Sequence, residues 1–166
     1  MGQIDTLITA SETLATSQPR LTEVQRLQKL HAVPFRNASG LTIAVFNVVK
    51  STGYDSGSDL GLMVNAVAAD FKNLAGIVVS EDGGAETTVA NNQTGFVCQE
   101  GFVQGLNTSG FTTGDLLWPH ASTPGSMQNT PVEGSPPIAF VDNAAAAPNG
   151  RIYFRAAGIV PVGTLA

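Results

Sequence analysis

The side chains best suited to chemistry near neutral pH are few. They are the two histidines, His31 and His120, and the single cysteine, Cys98. A nucleophilic mechanism needs a base within reach of the nucleophile and usually a third group that orients the base. No GxSxG elbow precedes a helix, and neither HExxH nor CxxC occurs. Glycoside hydrolysis needs two carboxyl groups flanking a groove, and Glu100 and Asp115 are the pair that cross-strand folding could bring together. Asp115, which follows Gly114, is expected instead to be a turn carboxylate accepting backbone N–H bonds. Asp55, Ser56, Ser58 and Asp59 cluster oxygens around Gly57 like half of a calcium loop, without the distant bidentate glutamate that completes one. Cys98 is expected to be a small packed hydrophobe. The expectation is a protein with no catalytic residues, cofactor or metal.

These residues sit in a scaffold that reads as strands and turns. Residues 94–119 (TGFVCQEGFVQGLNTSGFTTGDLLWP) alternate at period two and are broken by Gly95, Gly101, Gly105, Gly110 and Gly114. Further strands are expected from Phe35, over residues 41–49, 60–67, 74–79 and 86–90, and over 137–141 and 151–154. Residues 52–59 and the proline-rich stretch 120–137 are expected to be loops. Nine or ten short strands with turn signals every ~8–12 residues indicate an all-β fold, an antiparallel β-sandwich or barrel. Its expected core is Phe46, Val48, Ile77, Val79, Phe96, Leu117, Trp118, Phe140 and Ile152.

Only the N-terminal part departs from this pattern. Leu21, Val24, Leu27 and Leu30 recur every three residues behind Thr22, a capping residue with Gln25 three positions on, which predicts one short amphipathic helix over residues 21–30. Beyond it no further helix is expected. Residues 1–20 form an arm whose apolar anchors are Ile4, Leu7 and Ile8. Together with Leu21, Val24 and Leu27 they are the expected partner-anchoring residues. The division is therefore an arm and helix at 1–34, a β-domain at 35–155 and a tail at 156–166.

Composition limits the partners. Charged residues make up 13% of the 166, about half the usual share, which leaves a sparsely solvated surface suited to covering by other protein. A net charge of −5 argues against a nucleic-acid groove. No apolar run approaches the ~20 residues of a membrane-spanning helix, and Asp5 interrupts any leader-like hydrophobic region.

In order, Ala75-Gly76-Ile77-Val78, Gly95-Phe96-Val97 with Gly101-Phe102-Val103, residues 106–117 (LNTSGFTTGDLL), Thr123-Pro124-Gly125 and Asn149-Gly150-Arg151-Ile152-Tyr153-Phe154 form a pattern. It resembles that of tailed-bacteriophage virion proteins: head-decoration (cement) proteins and the β-domains of tail fibres. The resemblance spans roughly residues 35–154, most of the chain. The N-terminal helix and the wording of residues 41–49 depart from it. It implies a structural role without enzymatic activity, homotrimers on a capsid shell, contact with the major capsid protein and a place on the virion. The alternative is a tail-fibre or adaptor protein with a receptor-binding β-domain, although one short helix falls short of the heptads that a fibre stalk needs.

Overall fold

The computed structural model describes residues 32–80 and 87–159. The arm and the helix predicted over residues 21–30 lie outside them, and so do Ile4, Leu7, Ile8, Leu21, Val24 and Leu27. Within the described residues the protein is all-β.

Five strands close a small barrel in the order β1 (Ala32–Asn37), β4 (Leu60–Asn65), β3 (Val48–Asp55), β5 (Leu74–Val79) and β7 (Thr94–Cys98), with β7 returning to β1. A two-residue ladder between β2 (Ile43–Ala44) and β6 (Thr88–Val89) contributes Ile43 and Val89 to the barrel's filling. Five further strands form a second sheet in the order β10 (Met127–Gln128), β9 (Leu116–Pro119), β11 (Ala139–Asn143), β12 (Gly150–Arg155) and β8 (Glu100–Leu106). The fully antiparallel expectation needs one correction: β1 runs parallel to β4, pairing Phe35 with Gly61 and Asn37 with Met63. A hairpin cannot join parallel neighbours, so β1 enters the barrel from a distance in sequence.

The core has two compartments with a shared wall. Phe35, Val49, Met63, Val78 and Val97 fill the barrel. Val48, Ile77, Val79 and Cys98 point the other way and meet Val103, Leu117, Val141, Ile152 and Phe154 of the second sheet. Val48-Val49 of β3, Gly76 to Val79 of β5 and Val97-Cys98 of β7 are therefore buried on both faces, which is why β5 carries the unbroken apolar run Ile77-Val78-Val79. Two glycines allow the close approaches this needs. A Cβ on Gly95 would lie 2.6 Å from Val89 Cγ2 and 2.8 Å from a Phe35 ring carbon. At Gly105 (φ +107°) a Cβ would come within 3.2 Å of the Phe46 ring. Phe46 itself has φ +72°, rare for a bulky residue, and its N–H donates to Val78 O at 2.8 Å.

Four members of the expected core need correction. Val48, Ile77, Val79, Leu117 and Ile152 are buried, but Phe46 and Phe96 are half-buried at the edge of the second compartment, and Trp118 and Phe140 lie outside it. The reason is parity: neighbours on a strand face opposite ways, so burying Leu117 turns Trp118 outward, and burying Ala139 and Val141 turns Phe140 outward. Loop expectations also shift. Strand β3 continues to Asp55, so residues 56–59 are only a hairpin tip, and β10 lies inside the proline-rich stretch. A 3-10 turn at Ala68–Asn73, absent from the sequence reading, links β4 to β5.

Candidate docking surface

The outer face of the second sheet is built by the residues that alternate with its core. On β12, Ile152 and Phe154 point inward, leaving Arg151, Tyr153 and Arg155 outside. Strand β8 buries Val103 and presents Glu100, Phe102 and Gln104. In register, Leu116, Phe140, Tyr153 and Phe102 stand side by side across β9, β11, β12 and β8. This is one apolar row across four strands, with Phe102 50% exposed.

The rings are locked to one another. Phe140 stacks on Tyr153 with centroids 5.5 Å apart and planes at 24°, while Phe102 meets Tyr153 edge to face at 5.2 Å and 68°. The Arg151 guanidinium lies 5.2 Å over the Phe102 ring and is ion-paired with Asp142. Tyr153 donates its hydroxyl to Glu100 Oε1 at 2.6 Å, and Arg155 Nε stands 3.9 Å from the same oxygen. That hydrogen bond to Glu100, then burial and then the Glu100 charge raise the Tyr153 pKa above the usual phenol value, so the tyrosine stays neutral and donating at physiological pH. Arg151 is closely paired with Asp142, Glu100 accepts the Tyr153 hydroxyl, and Arg155 stands at the margin of pairing with Glu100. Such a face can pack against protein with little unpaired charge beside the aromatic rings.

The residues first considered for chemistry are not assembled into a catalytic site. Glu100 opens β8 and Asp115 precedes β9, with β11 and β12 between those two strands. Asp115 accepts the Thr112 N–H at 3.0 Å and the Asn129 side-chain N–H at 3.1 Å, as a turn carboxylate should, and both bonds lower its pKa. His120 uses Nδ1 to accept the Ser122 and Thr123 N–H groups, at 3.2 and 2.9 Å, which organises its own turn. His31 lies outside the described residues. Cys98 is buried, and burial pushes its thiol up to about 11, so it is an inert packing group. Asp55 is held low by Ser58, then by Arg36 and the Gly57 N–H, leaving its oxygens engaged by the hairpin. Among the described residues no cluster of three or more His, Cys, Asp or Glu could hold a metal ion, and no helix is long and apolar enough to cross a membrane.

The sequence reading missed the row, having placed Phe140 in the core and passed over Phe102, Tyr153 and Arg151. A signal was present: in Arg151-Ile152-Tyr153-Phe154-Arg155 the aromatic Tyr153 shares its parity with two arginines, which marks an outward position. Asn37 is fully buried, donating to Leu41 O and Val89 O at 2.7 and 2.9 Å and accepting from Ser39, so it ties the end of β1 to β6.

No protein-family model matches this chain, nor does a curated protein or a solved structure.

Proposed function

We propose that this chain is a bacteriophage virion structural protein, a decoration (cement) subunit that binds the outside of the head shell as an oligomer, expected to be a trimer, and contacts the major capsid protein. The observation that carries the reading is the apolar row Leu116–Phe140–Tyr153–Phe102 on the outer face of the sheet, half-buried along its length and exposed at Phe102, with the adjoining Arg151 paired to Asp142. Tyr153 is flanked by Phe140 on one side and Phe102 on the other, and Arg151 covers a Phe102 face. Stacking a sugar needs a free ring face, whereas packing against another protein needs only apolar area with satisfied polar groups. The motif order resembling decoration proteins supports the same reading. In it the arm, through Ile4, Leu7, Ile8, Leu21, Val24 and Leu27, is a second anchor that orders on contact with the shell.

A tail-attachment role is favoured by one observation. The β3–β4 hairpin presents Tyr54, 62% exposed and hydrogen-bonded to Asp59, at its tip, a polar-aromatic site of the kind receptor-binding loops use.

Copy number in purified virions tests the two. A decoration subunit occurs in numbers comparable to the shell protein, and a tail protein in far fewer. Rebinding to particles stripped of the protein tests the surface: Phe102→Asp and removal of residues 1–20 should each leave a folded domain that decorates poorly. Full decoration by both variants would overturn the assignment of the anchors.

A further inference from the structure

A second feature lies at the far end of the same sheet. A cleft of about 510 Å³ opens between the 3-10 turn, the start of β5 and the ends of β8 and β12; Phe71, Leu74 and Ala75 line one part, and Lys72, Glu100 and Arg155 are its charged groups. Arg36, Lys50 and Arg151 are each in close ion pairs, with Asp55, Asp70 and Asp142. Arg155 reaches Glu100 only at 3.9 Å, and that carboxylate already accepts the Tyr153 hydroxyl. Lys72, with Nζ 5.8 Å over the Phe71 ring, makes no ion pair among the described residues. In a chain of net charge −5, the least neutralised cations of the described residues thus share one cleft. Its complement is in the same sequence: residues 81–86, Glu-Asp-Gly-Gly-Ala-Glu, carry three carboxylates in six positions.

We propose that this cleft receives residues 81–86 of a second copy of the chain, so that copies associate head to tail. Chain length keeps the backbone of the segment away from the same copy's cleft. Val45 N–H donates to Thr87 O and Phe46 N–H to Val78 O, so both ends of the 81–86 segment leave from the Val78 end of β5. The cleft residues Leu74 and Ala75 lie at the other end, about 16–20 Å from Ser80 at ~3.3 Å per residue. The seven steps from Ser80 to Thr87 span at most ~25 Å, or about 12 Å out and back. A segment whose backbone stops short of its own cleft can lie fully in a neighbour's. Such a contact joins two different surfaces, which builds a ring when the rotation closes, and its charge pairing makes it weaken with salt. The inference stands apart from the virion reading, because purified protein alone tests it.

Sedimentation of the full chain is the test, using two charge-reversed sets: Lys72→Glu with Arg155→Glu, and Glu81→Lys with Asp82→Lys and Glu86→Lys. Wild type should associate, each set should weaken association at least about tenfold, and an equimolar mixture of the two sets should recover it. Neutral Gln versions, checked by circular dichroism, replace any reversed set that fails to fold. Three results would overturn the proposal: wild type monomeric at about 100 µM, where contacts worth ~5.5 kcal/mol are half formed; sensitivity of the cleft set without sensitivity of the acidic set, which would place another segment in the cleft; or a mixture that stays dissociated.

Discussion

The shared wall between barrel and second sheet and the outer face of that sheet use the same residue types to opposite ends. In the wall, Ile77, Val79, Leu117, Ile152 and Phe154 are fully buried or nearly so, with no charge among them. On the outer face, Phe140, Tyr153 and Phe102 pack on one another and Arg151 covers the Phe102 ring, within reach of water and of the ion-paired Asp142. Burial of apolar area stabilises the fold in the first case. In the second, Phe140 and Tyr153 are half-buried, and Phe102 keeps half of its area exposed. Two faces of the same strands thus differ in burial, and in the proposed reading only the outer one serves recognition.

The largest break in this comparison should come from the interior. Phe154→Ala should cost about 3–5 kcal/mol, measured by denaturant titration; a loss below about 1 kcal/mol would mean that the wall is not the stabilising element. Overpacking the wall comes next. A Cβ on Gly76 would stand 2.5 Å from Cys98 O, a backbone atom that cannot swing away, so Gly76→Ala should destabilise by about 1–3 kcal/mol. Trp118 sharpens the boundary between the regions, being half-buried with its indole N–H donating to Ser135 O at 3.1 Å. Trp118→Ala should cost about 1–2 kcal/mol, from one hydrogen bond and partial burial; a cost matching Phe154→Ala would assign it to the core.

A smaller effect is written in pH. Burial, the largest single influence on Asp70, raises its pKa, but the Lys50 hydrogen bond, the Val67 N–H and the Lys50 charge together outweigh it, and the net shift is downward. A depressed folded pKa means that the stability from Asp70 is fully present above the unfolded value of about 3.9 and is lost as pH falls through the folded one. Lys50→Met should therefore weaken the domain at neutral pH and flatten its loss of stability in acid. Parallel acid-unfolding curves for the two proteins would count against that account. The smallest change in stability is expected at Phe102. Phe102→Ala should shift it by no more than about 0.5–1 kcal/mol while particle rebinding falls, and a large unfolding effect would make the outer face part of the fold.

The sequence determined the all-β class and most strand positions, because period-two alternation and glycine or proline punctuation are local signals that survive any tertiary arrangement. It also identified Asp115 as a turn carboxylate and Cys98 as a packed thiol from residue type and neighbours alone. Where adjacent residues are both apolar, tertiary structure alone decided which parity faces inward. Leu117 and Trp118 are adjacent and both apolar, and only the sheet packed beneath β9 selects Leu117 for burial. The same holds for the doubly buried segments Val48-Val49, Ile77-Val78-Val79 and Val97-Cys98, whose consecutive apolar residues become intelligible once a barrel lies on one side and a sheet on the other. The parallel β1–β4 pairing, which closes the barrel, joins residues about 26 positions apart, as with Phe35 and Gly61. No local signal encodes such a contact, since its free energy appears only when the intervening chain has already folded.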